Sequence, residues 1–123
     1  MATVLGYVRV KAKIRNPEEK ERQLEIELLV DTGAIYSIIP AKILESLKIA
    51  RRSIRKMRLA DGSVIERHLG IAEVEVKGET AHSNVIFGEE RDASVLGVTA
   101  LEELGLQVDP VTGELKPMEL LLL

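Results

Sequence analysis

Residues 7–30 alternate between apolar and polar side chains in two segments, and this pattern constrains the fold most strongly. From Tyr7 to Arg15, apolar residues occupy every second position, with Lys and Arg between them. After a break at residues 16–20 that contains Asn and Pro, the alternation resumes with apolar residues at 24, 26, 28 and 30 against Gln23, Glu25 and Glu27. A period of two is typical of a β-strand with one buried face. The sequence therefore predicts a β-hairpin with basic and acidic side chains paired across its strands.

The second strand of this hairpin ends in the triplet Asp31-Thr32-Gly33. The strand delivers a carboxylate onto a tight turn, where Gly33 allows the backbone to fold back closely. The Thr32 hydroxyl can hold such a turn by local hydrogen bonds. Apolar residues flank the triplet on both sides, and we expect them to keep water away from the Asp31 carboxylate. An aspartate at a strand end is also a common turn residue, so a catalytic and a structural role both remain open at this point.

The rest of the chain reads as short strands with two short helices. We predict strands or short apolar segments at residues 36–39, 54–69, 71–77, 81–87, 93–96, 106–108 and 114–116. The segment 54–69 reads as a hairpin with a type I′ turn at Asp61-Gly62. One helix begins at Pro40 and ends near Lys48, and a capping box from Thr99 to Glu102 begins a second helix that Gly105 ends. No linker or repeat interrupts residues 1–123, which we expect to form one mostly β domain.

These segments resemble the retropepsin-like family of aspartic peptidases. Asp31-Thr32-Gly33-Ala34, followed by Ser37, resembles the active-site signature of that family. The stretch from Leu59 to Ser63 resembles the tip of the family's flap, and Val95-Leu96-Gly97 resembles its second landmark, the turn before the helix. The resemblance covers nearly the whole chain. It implies a single-domain, retropepsin-like acid-protease barrel with a flap hairpin and one or two short helices.

The resemblance implies an aspartic endopeptidase that acts on an extended peptide or protein substrate. Such enzymes need two carboxylates that share one proton, and this chain has one copy of the triplet. A homodimer is therefore implied, with the Asp31 side chains facing each other across a two-fold axis and a water activated between them, without a metal or cofactor. The implied catalytic residues are Asp31, Thr32 and Gly33. The implied substrate-binding residues are Ala34, Ile35, Tyr36, Ala60, Asp61, Gly62, Ala93 and Val95.

Two features depart from the retroviral pattern, and alternatives stay open. Retroviral members carry Arg after the apolar-apolar-Gly turn, whereas Val98 follows Gly97 here, and the flap tip has fewer glycines and a charged Asp61. A catalytically silent peptide-binding or dimerisation module on the same fold is the alternative function, and a monomer that never assembles the carboxylate pair is another. Ile35, Tyr36, Ala93 and Val95 could equally be core residues, and the hairpin around Asp61 could be structural only.

The composition of the chain argues against several kinds of bond and binding partner. The net charge is −3, with no Cys, no Trp and one Phe. Disulfides and thiolate metal sites are excluded, and neither a basic footprint nor an aromatic stacking platform for nucleic acid is apparent. The two histidines are isolated, so no set of metal ligands is predicted.

The ends of the chain offer no membrane signal. The N-terminal residues lack an apolar run of signal-peptide length, and Leu120 to Leu123 is far too short to span a bilayer. We therefore expect a cytoplasmic protein without a membrane partner. The C-terminal leucines are predicted to form a strand at the dimer contact, with a disordered end as the alternative.

Overall fold

The computed structural model describes residues 8–119 and 122, and these contain nine strands and two helices. The elements are β1 (Arg9–Arg15), β2 (Gln23–Val30), β3 (Ser37–Pro40), α1 (Ala41–Ser46), β4 (Ser53–Arg58), β5 (Val64–Val76), β6 (Glu79–Gly88), β7 (Val95–Leu96), α2 (Val98–Leu104), β8 (Leu106–Val108) and β9 (Leu115–Pro117). Both helices in this part of the chain are too short to cross a bilayer. Tyr7, Leu120, Leu121 and Leu123 lie outside the described residues, so the predicted C-terminal dimer strand stays a prediction.

Strands β1 to β7 form one sheet that closes on itself. Its order is β1-β2-β7-β3-β6-β5-β4, and a further pairing between β1 and β5 closes the ring. Among the strands of residues 8–119, β4 pairs with β5 alone and therefore remains outside the ring as an edge strand. Strands β8 and β9 form a separate two-stranded sheet, which corresponds to the strands predicted at 106–108 and 114–116. The expected mostly β, retropepsin-like fold is confirmed.

The N-terminal hairpin forms in the register that its alternation predicts. Ala12 lies opposite Ile26, Lys11 lies opposite Glu27, and Lys13 lies opposite Glu25. Ala12 is fully buried against the core, whereas Lys11 and Glu27 are exposed. One face of the hairpin is therefore apolar and buried and the other is charged and exposed, as is common for antiparallel strands at a protein surface. Its second strand delivers Asp31 to the end of β2.

Strand β5 is longer than the sequence predicts. The expected hairpin strand up to Leu69 and the expected strand at 71–77 are one continuous strand that passes through the buried Gly70. A Cβ atom at Gly70 would lie 2.6 Å from the carbonyl oxygen of Ala50 and 2.8 Å from the Phe87 ring. Since the backbone of one strand passes this close to its neighbours, glycine here permits a close approach rather than a break.

The prediction of a type I′ turn at Asp61-Gly62 is wrong. Only Gly62 has a positive φ there (90°), and the Leu59 N–H donates to the Ser63 carbonyl (2.8 Å), so three residues lie between that pair. Both central residues of a type I′ turn need positive φ. Lys77 and Gly78 meet that requirement, with φ of 52° and 83°, and connect β5 to β6. Positive φ at two successive residues, as a type I′ turn requires, is therefore found at Lys77-Gly78 and not at Asp61-Gly62.

The core fills the ring and the space beneath the two helices. Its largest fully buried side chains are Phe87, Ile14, Leu28, Ile39, Leu44, Leu96, Val74, Val76 and Val85. Helix α1 follows Pro40, which is its N-cap rather than its first helical residue, and it ends at Ser46, earlier than predicted. Leu44 anchors this helix, while Leu101 and Leu104 anchor α2. The packing fixes the ends of β2, β3 and β7 relative to one another.

Candidate active site

Two parallel strands place Asp31. Leu29 pairs with Val95 and Val30 pairs with Leu96, so β2 and β7 end side by side. The Asp31 N–H continues the ladder and donates to the Leu96 carbonyl at 3.0 Å. The first residue of the Asp-Thr-Gly turn is therefore fixed by a backbone bond to a segment far away in sequence.

The turn also holds the Asp31 side chain. The Gly33 N–H donates to Asp31 Oδ1 at 2.9 Å, and the Ala34 N–H donates to the Asp31 carbonyl at 3.1 Å. A Cβ atom at Gly33 would lie 3.2 Å from that Oδ1 atom. A larger residue at position 33 would therefore press on the carboxylate, which is a physical reason for glycine here beyond the tight turn that the sequence suggests.

The start of α2 closes over the turn from the other side. The Val98 N–H donates to the Ala34 carbonyl (2.8 Å), and the Thr99 N–H donates to the Ile35 carbonyl (3.0 Å). The expected capping box is wrong, because the N-cap is Gly97 and makes no side-chain cap bond. The first N–H groups of a helix need acceptors outside it, and here carbonyls of the Asp31 loop serve as these acceptors.

Gly97 packs closely against Tyr36 and Ser37. The Gly97 N–H donates to Ser37 Oγ at 3.0 Å, and Ser37 is only 1% exposed. A Cβ atom at Gly97 would lie 2.5 Å from the Tyr36 carbonyl carbon and 2.9 Å from the Ser37 nitrogen. The two family landmarks that the sequence suggested are thus packed backbone against backbone.

Within the single chain, the triplet is open to solvent. Asp31, Thr32 and Gly33 are exposed, and Ile35 is 65% exposed. The expectation that apolar neighbours keep water from the Asp31 carboxylate is therefore wrong for one chain. The reason is that the side chains of the strand before the turn pack into the core below it, while Ile35 after the turn points outward.

The other predicted substrate-binding residues fall into two groups. Ala34, Ile35, Tyr36 and Val95 lie on or beside the Asp31 turn, whereas Ala60, Asp61 and Gly62 lie at the exposed end of the β4–β5 hairpin. Ala93 is exposed in the loop before β7. Val95 is 3% exposed between Leu29 and Ile38, which favours the core role that the sequence left open.

The hairpin tip is ordered by its own side chains. Asp61 Oδ1 accepts hydrogen bonds from the Ser63 hydroxyl (2.6 Å) and from the Ser63 N–H (2.8 Å). These bonds hold the pKa of the Asp61 carboxyl below its usual value. Asp61 is thus engaged in its own turn.

An ion pair that sequence reasoning missed ties the hairpin to the body. Arg67 Nε donates to Asp92 Oδ2 at 2.7 Å, and Arg67 Nη2 donates to Asp92 Oδ1 at 3.1 Å. The Arg67 hydrogen bonds hold the pKa of the Asp92 carboxyl below its usual value. Nothing local in the sequence marks this pair, because its members lie on separate elements that only the folded sheet brings together.

A cavity lies beside this ion pair and is not lined by Asp31. It measures about 820 Å³ and is open to solvent between the start of α1 and the loop 88–94. No three His, Asp or Glu side chains cluster as metal ligands anywhere in the described ranges. The functional groups around Asp31 are therefore its hydrogen-bonded carboxylate and the backbone N–H and C=O groups of the turn.

Comparison with known families agrees with this geometry. The family described as "gag-polyprotein putative aspartyl protease" matches residues 21–103. That range contains the Asp31 turn, the β4–β5 hairpin and Gly97, and it spans more than half of the chain. No curated protein sequence matches the chain. The chain belongs to the aspartyl protease family of the retroviral gag-polyprotein type, as its resemblance to retropepsin-like peptidases implied.

Proposed function

We propose that the protein is an aspartic endopeptidase that acts as a symmetric homodimer. The observation that carries the proposal is the exposed Asp31 carboxylate, held by Gly33 on a turn that is itself fixed to β7 and α2. Membership of an aspartyl protease family supports it. Residues 1–123 would form one peptidase domain, a view that agrees with the single closed sheet.

The second carboxylate comes from the other chain. Water activation in this class of enzyme needs two carboxylates that share a proton, and the sequence has one Asp-Thr-Gly triplet. A partner placed across the turn would cover Thr32 and Ile35, which are exposed in one chain. It would also exclude water from Asp31, which the single chain does not do.

The reaction follows from a pair of Asp31 side chains that holds one proton. The ionised Asp31 takes a proton from the water between the carboxylates, and the water oxygen forms a bond to the scissile carbonyl carbon. The protonated Asp31 of the other chain donates its proton to the carbonyl oxygen. The resulting tetrahedral diol collapses when the Asp31 that took the water proton passes it to the amide nitrogen and the C–N bond breaks. One diol hydroxyl returns its proton to the other Asp31 as the new carboxyl group forms, which restores the pair without a covalent enzyme intermediate.

The substrate would bind as an extended strand between the Asp31 turn and the β4–β5 hairpin. The hairpin would act as a flap, with Ala60, Asp61 and Gly62 at its tip over the substrate backbone. Ala34, Ile35 and Tyr36 would contact the peptide from the side of the catalytic turn, and the exposed Ala93 from the wall between them, whereas the buried Val95 would support that wall from the core. Strand addition of this kind uses main-chain hydrogen bonds for affinity and alternate side chains for specificity.

The test is the variant Asp31→Asn, assayed on unstructured apolar peptides. We expect cleavage to fall about a thousandfold or more, with the fold intact because the asparagine oxygen can still accept from the Gly33 N–H. The matched control is Glu102→Gln, which neutralises an exposed carboxylate on α2 and should leave the rate unchanged. Equal cleavage by the wild type and Asp31→Asn would remove the peptidase proposal and favour the silent peptide-binding module.

A further inference from the structure

Charge is unevenly distributed between the β4–β5 hairpin and the rest of the protein. Residues 51–68 contain six basic and two acidic residues, a net charge of +4, whereas the other residues sum to −7. The basic residues of this segment are Arg51, Arg52, Arg55, Lys56, Arg58 and Arg67. A basic hairpin therefore projects from an acidic body, and the field of the molecule attracts anionic groups at the hairpin.

Two of the six cations are already engaged with neighbouring side chains. Arg51 donates to Glu45 and lies 4.5 Å from the centre of the Phe87 ring, and Arg67 is bound to Asp92. The other four have no ion pair within the described ranges, although Lys56 lies directly opposite Glu66. We call these four exposed residues the basic edge: Arg52, Arg55, Lys56 and Arg58.

The backbone of the basic edge is also available. Strand β4 pairs with β5 on one side and with no other strand of the described residues on the other. Free edges of this kind accept an additional strand through their N–H and C=O groups. Because successive residues point to opposite faces, Arg55 lies on one face of the hairpin and Lys56 and Arg58 lie on the other.

The composition of the hairpin favours a peptide over a nucleic acid. Ile54 and Met57 lie between the cations, and residues 51–68 contain no Phe, Tyr or Trp on which bases could stack. Ile54 is 57% exposed, so the strand offers apolar contacts beside its charges. Alternating cations and aliphatic groups along a free strand edge suit an extended, acidic polypeptide.

We propose that the basic edge binds an acidic, extended segment of the substrate by strand addition, so that the peptidase prefers carboxylate side chains away from the scissile bond. This inference rests on the proposed function. The hairpin projects past Gly88, and the loop from there leads back through β7 to the Asp31 turn. A substrate strand that lies between the Asp31 turn and the hairpin, as in the proposed function, would extend its flanking residues along β4.

The test measures binding to Asp31→Asn protein, in which no cleavage is needed. Three labelled peptides share an apolar centre and differ in flanks of Glu, Gln or Lys, and fluorescence anisotropy gives their affinities. We expect the Glu peptide to bind about tenfold more tightly than the Gln peptide at low salt, and the preference to fall as salt rises. The double reversal Lys56→Glu with Arg58→Glu should abolish the preference and favour the Lys peptide.

The control variant is Lys77→Glu, which makes the same kind of charge change at the exposed turn at the far end of β5 and should leave all three affinities unchanged. Arg55→Glu tests the other face of β4 separately, and circular dichroism verifies that each variant is folded. Equal affinity for the Glu and Gln peptides, or a preference that survives the double reversal, would overturn the inference. So would a single-stranded oligonucleotide that binds more tightly than the Glu peptide and displaces it.

Cleavage of the same three peptides by the wild type separates this inference from the proposed function. Selective binding without any cleavage would contradict the peptidase and leave the basic edge as a peptide-binding site. Cleavage of all three peptides at equal rates would keep the peptidase and contradict the basic edge.

Discussion

The Asp31 turn and the β4–β5 hairpin are held to the protein in different ways. The turn is fixed by backbone N–H and C=O groups that bond to β7 and α2. In the described residues, strand pairing within 53–68 joins only β4 to β5, since the ladder to β6 starts at Leu69. Side chains link this part of the hairpin to other elements. On one face Arg67 binds Asp92, and near the base Arg51 bridges Glu45 and the His68 ring.

This difference means that the position of Asp31 is fixed by backbone bonds, while the hairpin can move without breaking them. In the proposed peptidase the Asp31 carboxylate must be held to within a fraction of an ångström, and backbone bonds from its turn to two elements serve that requirement. In the proposed peptidase the hairpin would admit and release substrate as a flap, so it would need a low free energy of local opening. Side-chain links that can break one at a time without unfolding the sheet meet that need. Substitutions in the turn should therefore destabilise the whole protein, whereas substitutions in the hairpin should mainly affect the hairpin.

The largest effect is expected from Gly97→Ala. Its Cβ atom would lie 2.5 Å from the Tyr36 carbonyl carbon, and relieving that overlap must separate α2 from the Asp31 turn. We expect a loss of about 3 kcal/mol in the free energy of unfolding, measured by urea denaturation. Gly62→Ala in the hairpin is the comparison, since nothing lies within 4 Å of its Cβ position and only its positive φ opposes the change. It should cost about 1 kcal/mol, and equal losses would contradict the distinction between the regions.

A smaller effect is expected from Ser37→Ala. The buried Gly97 N–H loses its acceptor, and an unpaired buried donor costs about 1–3 kcal/mol. The matched hairpin variant is Ser63→Ala, which removes an exposed hydroxyl bonded to Asp61 and should change stability by less than about 0.5 kcal/mol. The two denaturation curves measured side by side test this. A Ser63 variant as unstable as the Ser37 variant would mean that the hairpin is part of the cooperative core.

A third effect, confined mainly to the hairpin, is expected from Asp92→Asn. Loss of the Arg67 ion pair should destabilise the protein by about 1 kcal/mol while speeding amide exchange mainly in residues 53–68. Because Arg67 lowers the pKa of Asp92 in the folded state, the native protein binds fewer protons at this site than the unfolded chain. The contribution is therefore fully present above the ordinary carboxyl value of about 3.9 and is lost as pH falls through the lowered folded pKa.

The stability difference between wild type and Asp92→Asn should accordingly be constant near neutral pH and shrink in acid. Arg67→Met is a second way to break the same link and should speed exchange in the same residues. Exchange that rises evenly over β1, β2 and β6 instead would show that the ion pair supports the whole barrel rather than the hairpin.

Much of the fold could be read from residues that act locally. The alternation in residues 9–30 predicted the first hairpin, because a half-buried strand needs a period of two and the register follows from it. Gly105 predicted the end of α2, where its φ is 72°, since a left-handed C-cap favours glycine. The position of Asp31 at a strand end followed from the same kind of signal, as did the final hairpin.

Three features did not follow from local signals. The pairing of β2 with β7, the passage of β5 through Gly70, and the start of α2 at Gly97 all depend on backbone groups that meet across the fold. Backbone hydrogen bonds are nearly independent of side-chain identity, so the sequence shows little trace of them. The predicted capping box and type I′ turn failed because the folded chain supplied other acceptors and another turn geometry.

The sequence by itself determined that this chain forms a mostly β domain with one Asp-Thr-Gly turn at the end of a half-buried strand. Side-chain periodicity and turn chemistry are local, and they act before any tertiary contact exists. The tertiary structure alone decided that Leu96, Gly97 and Ser37 hold this turn, and that Asp92 holds the hairpin through Arg67. These contacts join residues distant in sequence, and only the closure of the sheet brings them within hydrogen-bonding distance.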